Sequence, residues 1–210
     1  MKIKICGIKS IEEAKAAEEL GADMIGFVFH ESSKRYIEPK AAREISCQLP
    51  YSIQKVGVFV DREENDVIRI AKEALLDVMQ FHGSESRDYC AFFKRAFRVI
   101  KAFRVGDAGS LEDIKEYPVD MYLLDTLSDK GHGGTGKVFD WSVLKGLTFD
   151  QPVILSGGLN PANVRKAIKT IRPFGVDVST GVEKPEGGKD IELMKLFIEN
   201  ARKGFKDAAR

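Results

Sequence analysis

Short apolar runs alternate with segments of helical periodicity from one end of the chain to the other. Several runs, such as residues 56–60 with the sequence VGVFV, carry apolar side chains on both faces, which is typical of strands buried beneath helices. Strands that alternate with helices predict a parallel sheet covered by helices. The eight predicted strands are Ile3–Cys6, Met24–Phe29, Gln54–Val60, Val78–His82, Val99–Phe103, Met121–Asp125, Val153–Leu155 and Val176–Ser179.

Capping side chains mark where the intervening helices begin. The predicted starts are Ser10 with Glu13, Asp61 with Glu64, Ser110 with Asp113, and Asn160–Pro161, where a cap precedes a first-turn proline. Spread over eight strand–helix units, 210 residues give about 26 residues per unit, close to the minimum for such a unit. We therefore predict the α/β class, with residues 1–210 forming a single-domain (β/α)8 TIM barrel. An open doubly wound sheet is the alternative.

The charge balance narrows the classes of partner. With 33 basic against 32 acidic residues the net charge is +1, so the chain lacks the basic surface that attracts nucleic acids and acidic membranes. The longest apolar stretch, Ala22–Phe29, is far shorter than the roughly 20 residues that span a bilayer. The N-terminus becomes polar again by Lys9, too early for a secretory signal. We expect a cytoplasmic protein with no membrane and no nucleic-acid partner.

Two strand ends carry side chains suited to proton transfer. In a barrel, the carboxyl ends of the strands form the active-site face. Cys6 ends the first strand, and its thiolate is a candidate general base if positive charge in the pocket lowers the thiol pKa. Asp125 ends the sixth strand and is a candidate general acid if partial desolvation keeps it protonated. An inert buried thiol and a helix-capping or ion-paired carboxylate are the alternatives.

Glycine-rich segments follow the last three predicted strands and predict an anion site. Glycine lets the backbone approach an anion closely, and barrels of this type bind phosphate after strands seven and eight. The candidate phosphate-binding residues are Gly134, Gly136, Ser156, Gly157, Gly158, Ser179, Thr180 and Gly181. Such glycines also occur in ordinary turns. The histidines and cysteines lack metal-ligand spacing, so we predict no metal site and free thiols.

Taken in their order along the chain, these motifs resemble the phosphoribosylanthranilate isomerase family. The matching segments are KICGI (4–8), GFVF (26–29), SKRY (33–36), VMQFHG (78–83), LDT (124–126), GGTG (133–136), FDW (139–141), SGGL (156–159) and DVSTGVE (177–183). The ordered set covers nearly the whole chain, and it is far more specific than any single piece. The chain departs from the family pattern at Lys34, where proline is usual, and at Thr180, where serine is frequent.

The resemblance implies an enzyme of tryptophan biosynthesis that needs no cofactor. Its reaction is the Amadori rearrangement of N-(5'-phosphoribosyl)anthranilate to 1-(2-carboxyphenylamino)-1-deoxyribulose 5-phosphate, with Asp125 as acid and Cys6 as base. The resemblance also implies that Arg35 pairs with the anthranilate carboxylate, as a guanidinium fork suits a carboxylate. The other implied substrate-binding residues are Gln80, His82 and Asp177. The expected partner is a small phosphoribosyl molecule, and the expected state is a monomer or a homodimer.

Two other readings stay open at this point. One is a different phosphosugar barrel, such as indole-glycerol-phosphate synthase or an aminoaldose isomerase of histidine biosynthesis. The synthase carries an N-terminal extension, whereas this chain reaches its first strand at Ile3. The histidine enzyme uses paired aspartates, whereas this chain offers Cys6 and Asp125. The other reading is a catalytically silent phosphate-binding or scaffold protein, which would have no use for those two side chains.

Overall fold

Eight parallel strands close into a barrel, as the alternating pattern predicts. The computed structural model describes residues 1–105, 114–126, 144 and 148–209. Each strand pairs in parallel with the next, and the eighth pairs with the first. The strands are β1 (Lys2–Cys6), β2 (Met24–Val28), β3 (Gln54–Phe59), β4 (Val78–Phe81), β5 (Arg98–Val105), β6 (Met121–Thr126), β7 (Val153–Ser156) and β8 (Gly175–Val178). The (β/α)8 TIM barrel is therefore confirmed, while the assignment of residues 1–210 to one domain stays a prediction.

The helices of the described ranges pack around this barrel. They are α1 (Ile11–Glu19), α2 (Pro39–Ser46), α3 (Glu64–Ala74), α4 (Arg87–Lys94), α5 (Val164–Ile171) and α6 (Ile191–Ala208), with a 3-10 turn at Thr180–Val182. No helix among the described residues is long and apolar enough to cross a membrane.

The predicted helix starts met different outcomes. Ser10 caps α1, because its hydroxyl accepts a hydrogen bond from the backbone N–H of Glu13 at 3.2 Å. Asp61 does not cap α3: its backbone has a φ of +46°, and its carboxylate accepts from the Ser84 N–H instead. Asn160 and Pro161 form a turn before α5, which begins only at Val164. The predicted start at Ser110 and Asp113 lies outside the described residues.

Alternate residues of each strand point into the barrel and divide its interior into an apolar floor and a polar mouth. The period of two in a strand fixes this division, because residues two apart share a face. The floor is a buried apolar cluster of Met24, Val56, Val78, Ile100, Ala102, Met121, Leu123 and Ile154. The next inward positions, two residues after Met24, Val78, Leu123 and Ile154, are Gly26, Gln80, Asp125 and Ser156. The strand register therefore collects the polar inward side chains at one end.

A buried ion pair joins β5 to the loops that follow β3 and β4. The Lys101 ammonium lies 3.1 Å from Oε2 of Glu85, and both side chains are almost fully buried. Lys101 also donates to the Gly83 carbonyl at 2.8 Å, and Glu85 accepts from the N–H groups of Asp61 and Gly83. Each charge thus has several partners, as burial of a charge requires. This ion pair and its hydrogen bonds, which we call the clip, fix the chain directly after His82.

We predict that Lys101→Met lowers the free energy of unfolding by about 3–5 kcal/mol, because it leaves the Glu85 carboxylate buried without its cation. Urea denaturation measures this loss. Lys203→Met is the matched control, since Lys203 lies 4.0 Å from Glu199 in an exposed pair and its loss should cost no more than about 0.5 kcal/mol. Equal effects of the two substitutions would contradict the clip.

Candidate active site

A cavity of about 510 Å³ opens at the carboxyl ends of the strands. It is lined by the predicted site residues Cys6, Arg35, Gln80, His82, Asp125, Ser156, Gly157, Gly158, Asp177, Ser179, Thr180 and Gly181, together with Val28, Val58, Leu159 and Val178. Two predicted phosphate-binding residues, Gly134 and Gly136, lie outside the described residues. Every other site residue predicted from the sequence therefore borders one cavity.

Cys6 occupies the inward position at the end of β1, next to a buried lysine that the sequence analysis missed. The Lys4 side chain is 1% exposed and lies 2.9 Å from Oδ1 of Asp177. Ser156 donates to the other oxygen of Asp177 at 2.9 Å. A Cβ at Gly26 would lie 2.8 Å from Sγ of Cys6 and 3.2 Å from Nζ of Lys4, so glycine leaves the space that both groups fill.

The pKa of the Cys6 thiol is raised, whereas its sequence-based role as a base required positive charge in the pocket to lower that pKa. Burial raises the pKa of Cys6 above its ordinary value, and the negative charge of Asp177 adds to this rise. The ammonium groups of Lys4 and Lys189 oppose it and reduce its size. In the substrate-free protein, therefore, the thiol form is favoured, and the neighbouring cations limit how strongly.

Asp125 ends a chain of hydrogen bonds that begins at Gln80. Nε2 of His82 lies 3.2 Å from Oδ2 of Asp125, and Nδ1 lies 3.2 Å from the amide nitrogen of Gln80. Because an amide nitrogen only donates, Nδ1 accepts, and Nε2 carries the hydrogen that is donated to Asp125. Among the described residues, Oε1 of Gln80 is buried without a partner. The chain holds the Asp125 carboxyl by one of its oxygens.

A second charged network surrounds the loop after β8. Arg35 donates from Nε and Nη2 to the two carboxylate oxygens of Glu183, at 2.6 and 2.8 Å, and from Nη2 to the Thr180 hydroxyl at 2.8 Å. Lys189, which is 3% exposed, lies 2.8 Å from Glu183 and donates to the Ser179 carbonyl at 3.2 Å. Although burial opposes it, hydrogen bonds from Arg35 and Lys189 lower the pKa of Glu183 to about 2.

The replacement of the usual proline by Lys34 leaves Arg35 well placed. The backbone N–H of Arg35 donates to the Ser33 hydroxyl at 3.1 Å, and Lys9 donates to the Lys34 carbonyl at 3.2 Å. The side chain of Arg35 packs over Gly7, where an added Cβ would lie 2.5 Å from its Cδ. Nη1 of Arg35 has no partner among the described residues, so its two N–H groups remain for a ligand.

The loops after β7 and β8 require glycine for two different reasons. Gly157 and Gly158 have φ values of +81° and +63°, in the left-handed region that glycine adopts readily. At Gly181, by contrast, a Cβ would collide with the Leu159 carbonyl, so the two loops approach each other closely. The two loops form the part of the cavity wall that lies beside Arg35 and Lys189. Glycine backbone near two cations is suited to binding an anion.

Three charged side chains of this site have no role assigned from the sequence: Lys4, Glu183 and Lys189. Lys4 had a usable signal, because it precedes Cys6 by two residues and must share its inward face. Glu183 lies 148 positions from Arg35 and Lys189 lies in a polar loop, and neither has a local signal. Among the described residues, no group of three or more His, Cys, Asp or Glu side chains is arranged to hold a metal ion.

We predict that Glu183→Gln removes a pH-dependent part of the stability. Because folding lowers the pKa of Glu183 from about 4.5 to about 2, its carboxylate stabilises the fold above pH 4.5, and this contribution disappears as the pH falls towards 2. A shift of this size corresponds to about 3 kcal/mol.

Urea denaturation between pH 7 and pH 3 measures the effect. The difference in unfolding free energy between wild type and Glu183→Gln should be constant at neutral pH and should shrink below about pH 4.5. Glu186→Gln, an exposed carboxylate of the same loop, is the control and should show little difference at any pH. A difference that stays constant down to pH 3 would contradict the assigned ion pairs.

The comparisons with known proteins agree on one family. A family model described as N-(5'-phosphoribosyl)anthranilate (PRA) isomerase matches residues 3–200. A curated N-(5'-phosphoribosyl)anthranilate isomerase of Desulforudis audaxviator is 50% identical over 205 residues, which cover 97% of this chain and 98% of that protein.

Solved structures lead to the same family. The phosphoribosyl anthranilate isomerase of Thermotoga maritima superimposes with a TM-score of 0.90 at 44% identity, covering 97% of this chain and 99% of that chain. A second phosphoribosyl anthranilate isomerase, solved in complex with reduced 1-(o-carboxyphenylamino)-1-deoxyribulose 5-phosphate, superimposes with a TM-score of 0.86 at 41% identity. That match covers 97% of this chain and 99% of the other.

Proposed function

Because the chain belongs to the N-(5'-phosphoribosyl)anthranilate isomerase family and is thus an isomerase of tryptophan biosynthesis, we propose that Cys6 and Asp125 perform its chemistry as base and acid. The proposed reaction is the Amadori rearrangement of N-(5'-phosphoribosyl)anthranilate to 1-(2-carboxyphenylamino)-1-deoxyribulose 5-phosphate. The observation that carries this proposal is the common cavity. A thiol and a carboxyl from β1 and β6 line the same space as the glycine loops after β7 and β8.

Asp125 acts first and opens the furanose ring. The anilino nitrogen forms a double bond to C1', the bond from C1' to the ring oxygen breaks, and Asp125 gives its proton to that oxygen. The product of this step is a protonated Schiff base, which draws electrons away from C2'. His82 supports the step by orientation, because its Nε2–H holds one carboxyl oxygen of Asp125. Gln80 in turn fixes which nitrogen of His82 carries the hydrogen.

Cys6 acts second and removes the proton from C2'. The electron pair of the C2'–H bond forms the C1'–C2' double bond, the nitrogen recovers its lone pair, and an enolamine results. Tautomerisation then moves a proton to C1' and leaves a ketone at C2', so the atoms of substrate and product balance. Since burial raises the pKa of the Cys6 thiol, only a fraction of the enzyme holds the reactive thiolate at neutral pH. Activity should therefore rise with pH on the acid side.

The substrate's two anionic groups bind on the side of the cavity that carries positive charge. We assign the phosphate to the loop backbones at Ser156, Gly157, Gly158 and Gly181 and to the hydroxyls of Ser179 and Thr180, with Gly134 and Gly136 as further predicted contacts. The Ser156 hydroxyl itself donates its hydrogen to Asp177. We assign the anthranilate carboxylate to Arg35, whose Nη1 is unoccupied among the described residues. Glu183 occupies the Nε–Nη2 edge of that guanidinium and Thr180 takes the second hydrogen of Nη2, so the substrate meets Nη1.

Asp177, which the resemblance implies as a substrate-binding residue, is proposed to act on the substrate indirectly, by its effect on Cys6. Both of its oxygens are engaged, by Lys4 and by Ser156, so it shapes the floor of the cavity below the thiol.

The cytoplasmic location and the choice between a monomer and a homodimer stay predictions. The substrate class separates this proposal from an enzyme of histidine biosynthesis. Loss of anthranilate-ribosyl fluorescence on addition of the purified protein tests it, and no conversion would contradict it.

We predict that Cys6→Ser and Asp125→Asn each lower kcat by at least about a hundredfold, because each removes a group that transfers a proton in the reaction. The same fluorescence assay measures kcat, and inorganic phosphate as a competitor measures whether the anion site is intact. Its affinity should change no more than a few-fold. Cys47→Ser is the control, since this thiol is exposed and outside the cavity. Near-normal kcat in either site variant would defeat the assignment.

We predict that Arg35→Lys and Arg35→Ala raise KM by about tenfold or more and lower kcat less. A lysine keeps the charge but lacks the fork that pairs with a carboxylate, and alanine lacks both. Steady-state kinetics separates KM from kcat, and Arg69→Ala on the exposed face of α3 is the control. An unchanged KM in Arg35→Ala would remove this residue from the carboxylate site.

A further inference from the structure

Lys4 is a buried cation that the proposed chemistry does not yet use. Its side chain is 1% exposed and projects into the barrel from β1, where Lys4 is the register partner of Met24 in the apolar floor. Replacing a buried ion pair by apolar residues is often neutral or stabilising, so stability alone is a weak reason for a lysine here. The place of this ammonium beside the proposed base points to a chemical role.

The surroundings of Lys4 hold its ammonium in one position. Nζ lies 2.9 Å from Oδ1 of Asp177, and Sγ of Cys6 is its neighbour on the same face of β1, because both atoms border the Cβ position of Gly26. Gly26 forms the wall behind both groups, since an added Cβ would lie within 3.2 Å of each of them. Because the Ser156 hydroxyl engages the second oxygen of Asp177, that carboxylate cannot swing away.

Four charged groups face Cys6 from the elements packed around it. Lys4 lies on β1 itself, Asp177 on β8, Lys189 in the loop before α6, and Arg35 in the loop after β2. Of these, Lys4 has the strongest influence on the thiol, and Asp177 opposes it. Lys189 and Arg35 are also paired with Glu183, which reduces their influence. Lys4 is therefore the cation best placed to stabilise a charge on Sγ.

We propose that Lys4 is a positioning residue for the rearrangement: its buried ammonium holds Sγ of Cys6 towards the cavity and stabilises the thiolate, while Asp177 keeps the ammonium charged and limits its effect. This inference rests on the proposed role of Cys6 as the base. Lys4 lies two residues before Cys6 on the inward face of β1 and does not line the cavity, so it acts through the thiol. The pair of Lys4 and Asp177 thus adjusts the base in two opposite directions.

The test measures the Cys6 thiol directly and without turnover. Iodoacetamide alkylation of the substrate-free protein is followed from pH 6 to pH 11, and peptide mass spectrometry resolves Cys6 from Cys47 and Cys90. The midpoint of the rate profile gives the thiol pKa. A pKa shift also changes the reactivity of the thiolate, but this changes the height of the profile and leaves its midpoint in place. The exposed Cys47 serves as the internal control and should keep one midpoint in all variants.

Three variants give a fixed order of midpoints. Lys4→Met should raise the Cys6 midpoint by at least about one unit, which is a tenfold loss of thiolate at neutral pH, because the nearest cation is gone. Asp177→Asn should lower the midpoint, because the opposing anion is gone. Lys4→Met combined with Asp177→Asn should lie between wild type and Lys4→Met. If Lys4 and Asp177 had only structural roles, their substitutions would not move the Cys6 midpoint in opposite directions.

Folding is checked separately by thermal denaturation of each variant. If Lys4→Met fails to fold because it leaves Asp177 buried alone, the double variant has no buried charge, and its midpoint above wild type carries the test. A Lys4→Met or double-variant midpoint within about 0.3 units of wild type would overturn the inference, as would an Asp177→Asn midpoint that rises. Full kcat in Cys6→Ser would instead defeat the base assignment, whatever the midpoints.

Discussion

The ion pair between Lys4 and Asp177 forms where the barrel closes. These two residues are register partners between β1 and β8, so the pairing that joins the first strand to the last also brings their side chains together. Cys6 follows Lys4 on the same face of β1, and Ser156 reaches the same carboxylate from β7. The Asp177 carboxylate therefore links side chains of three strands, β1, β7 and β8. A shift of the closing register by one residue would turn Lys4 or Asp177 to the outside of the barrel.

The rest of the mouth extends this arrangement in two directions. On one side, the chain of Gln80 and His82 reaches Asp125, and the buried pair of Lys101 and Glu85 fixes the backbone directly after His82. On the other side, Arg35, Glu183 and Lys189 surround the glycine loops that we assign to the phosphate. In the proposed mechanism, proton transfer from Asp125 and anion binding therefore use different charged networks, and Cys6 borders the same cavity as both. The apolar floor below provides the packing that offsets the cost of burying so many polar groups.

The fold and most of the mouth could be predicted because they follow from local rules. Strand periodicity and the length of each unit indicate the barrel, and the last inward residue of a strand lies at its mouth, which is how Cys6 and Asp125 are found. Partners that are distant in the chain could not be predicted. Arg35 meets Glu183 across 148 positions, and only the folded chain shows that this carboxylate occupies one edge of the guanidinium. The sequence predicts that Asp61 caps a helix, but its carboxylate accepts a hydrogen bond from the Ser84 N–H in the neighbouring loop.

A crystal structure of this chain with reduced 1-(o-carboxyphenylamino)-1-deoxyribulose 5-phosphate would locate both proposed proton-transfer groups relative to the sugar. We expect the phosphate on the loops after β7 and β8, Sγ of Cys6 within about 4 Å of the C1'–C2' end of the sugar chain, and Lys4 still paired with Asp177. We also expect an Asp125 oxygen within about 3.2 Å of the sugar oxygen that leaves the ring. A phosphate on the opposite rim, or a Cys6 sulfur out of contact with the sugar, would contradict the proposed mechanism.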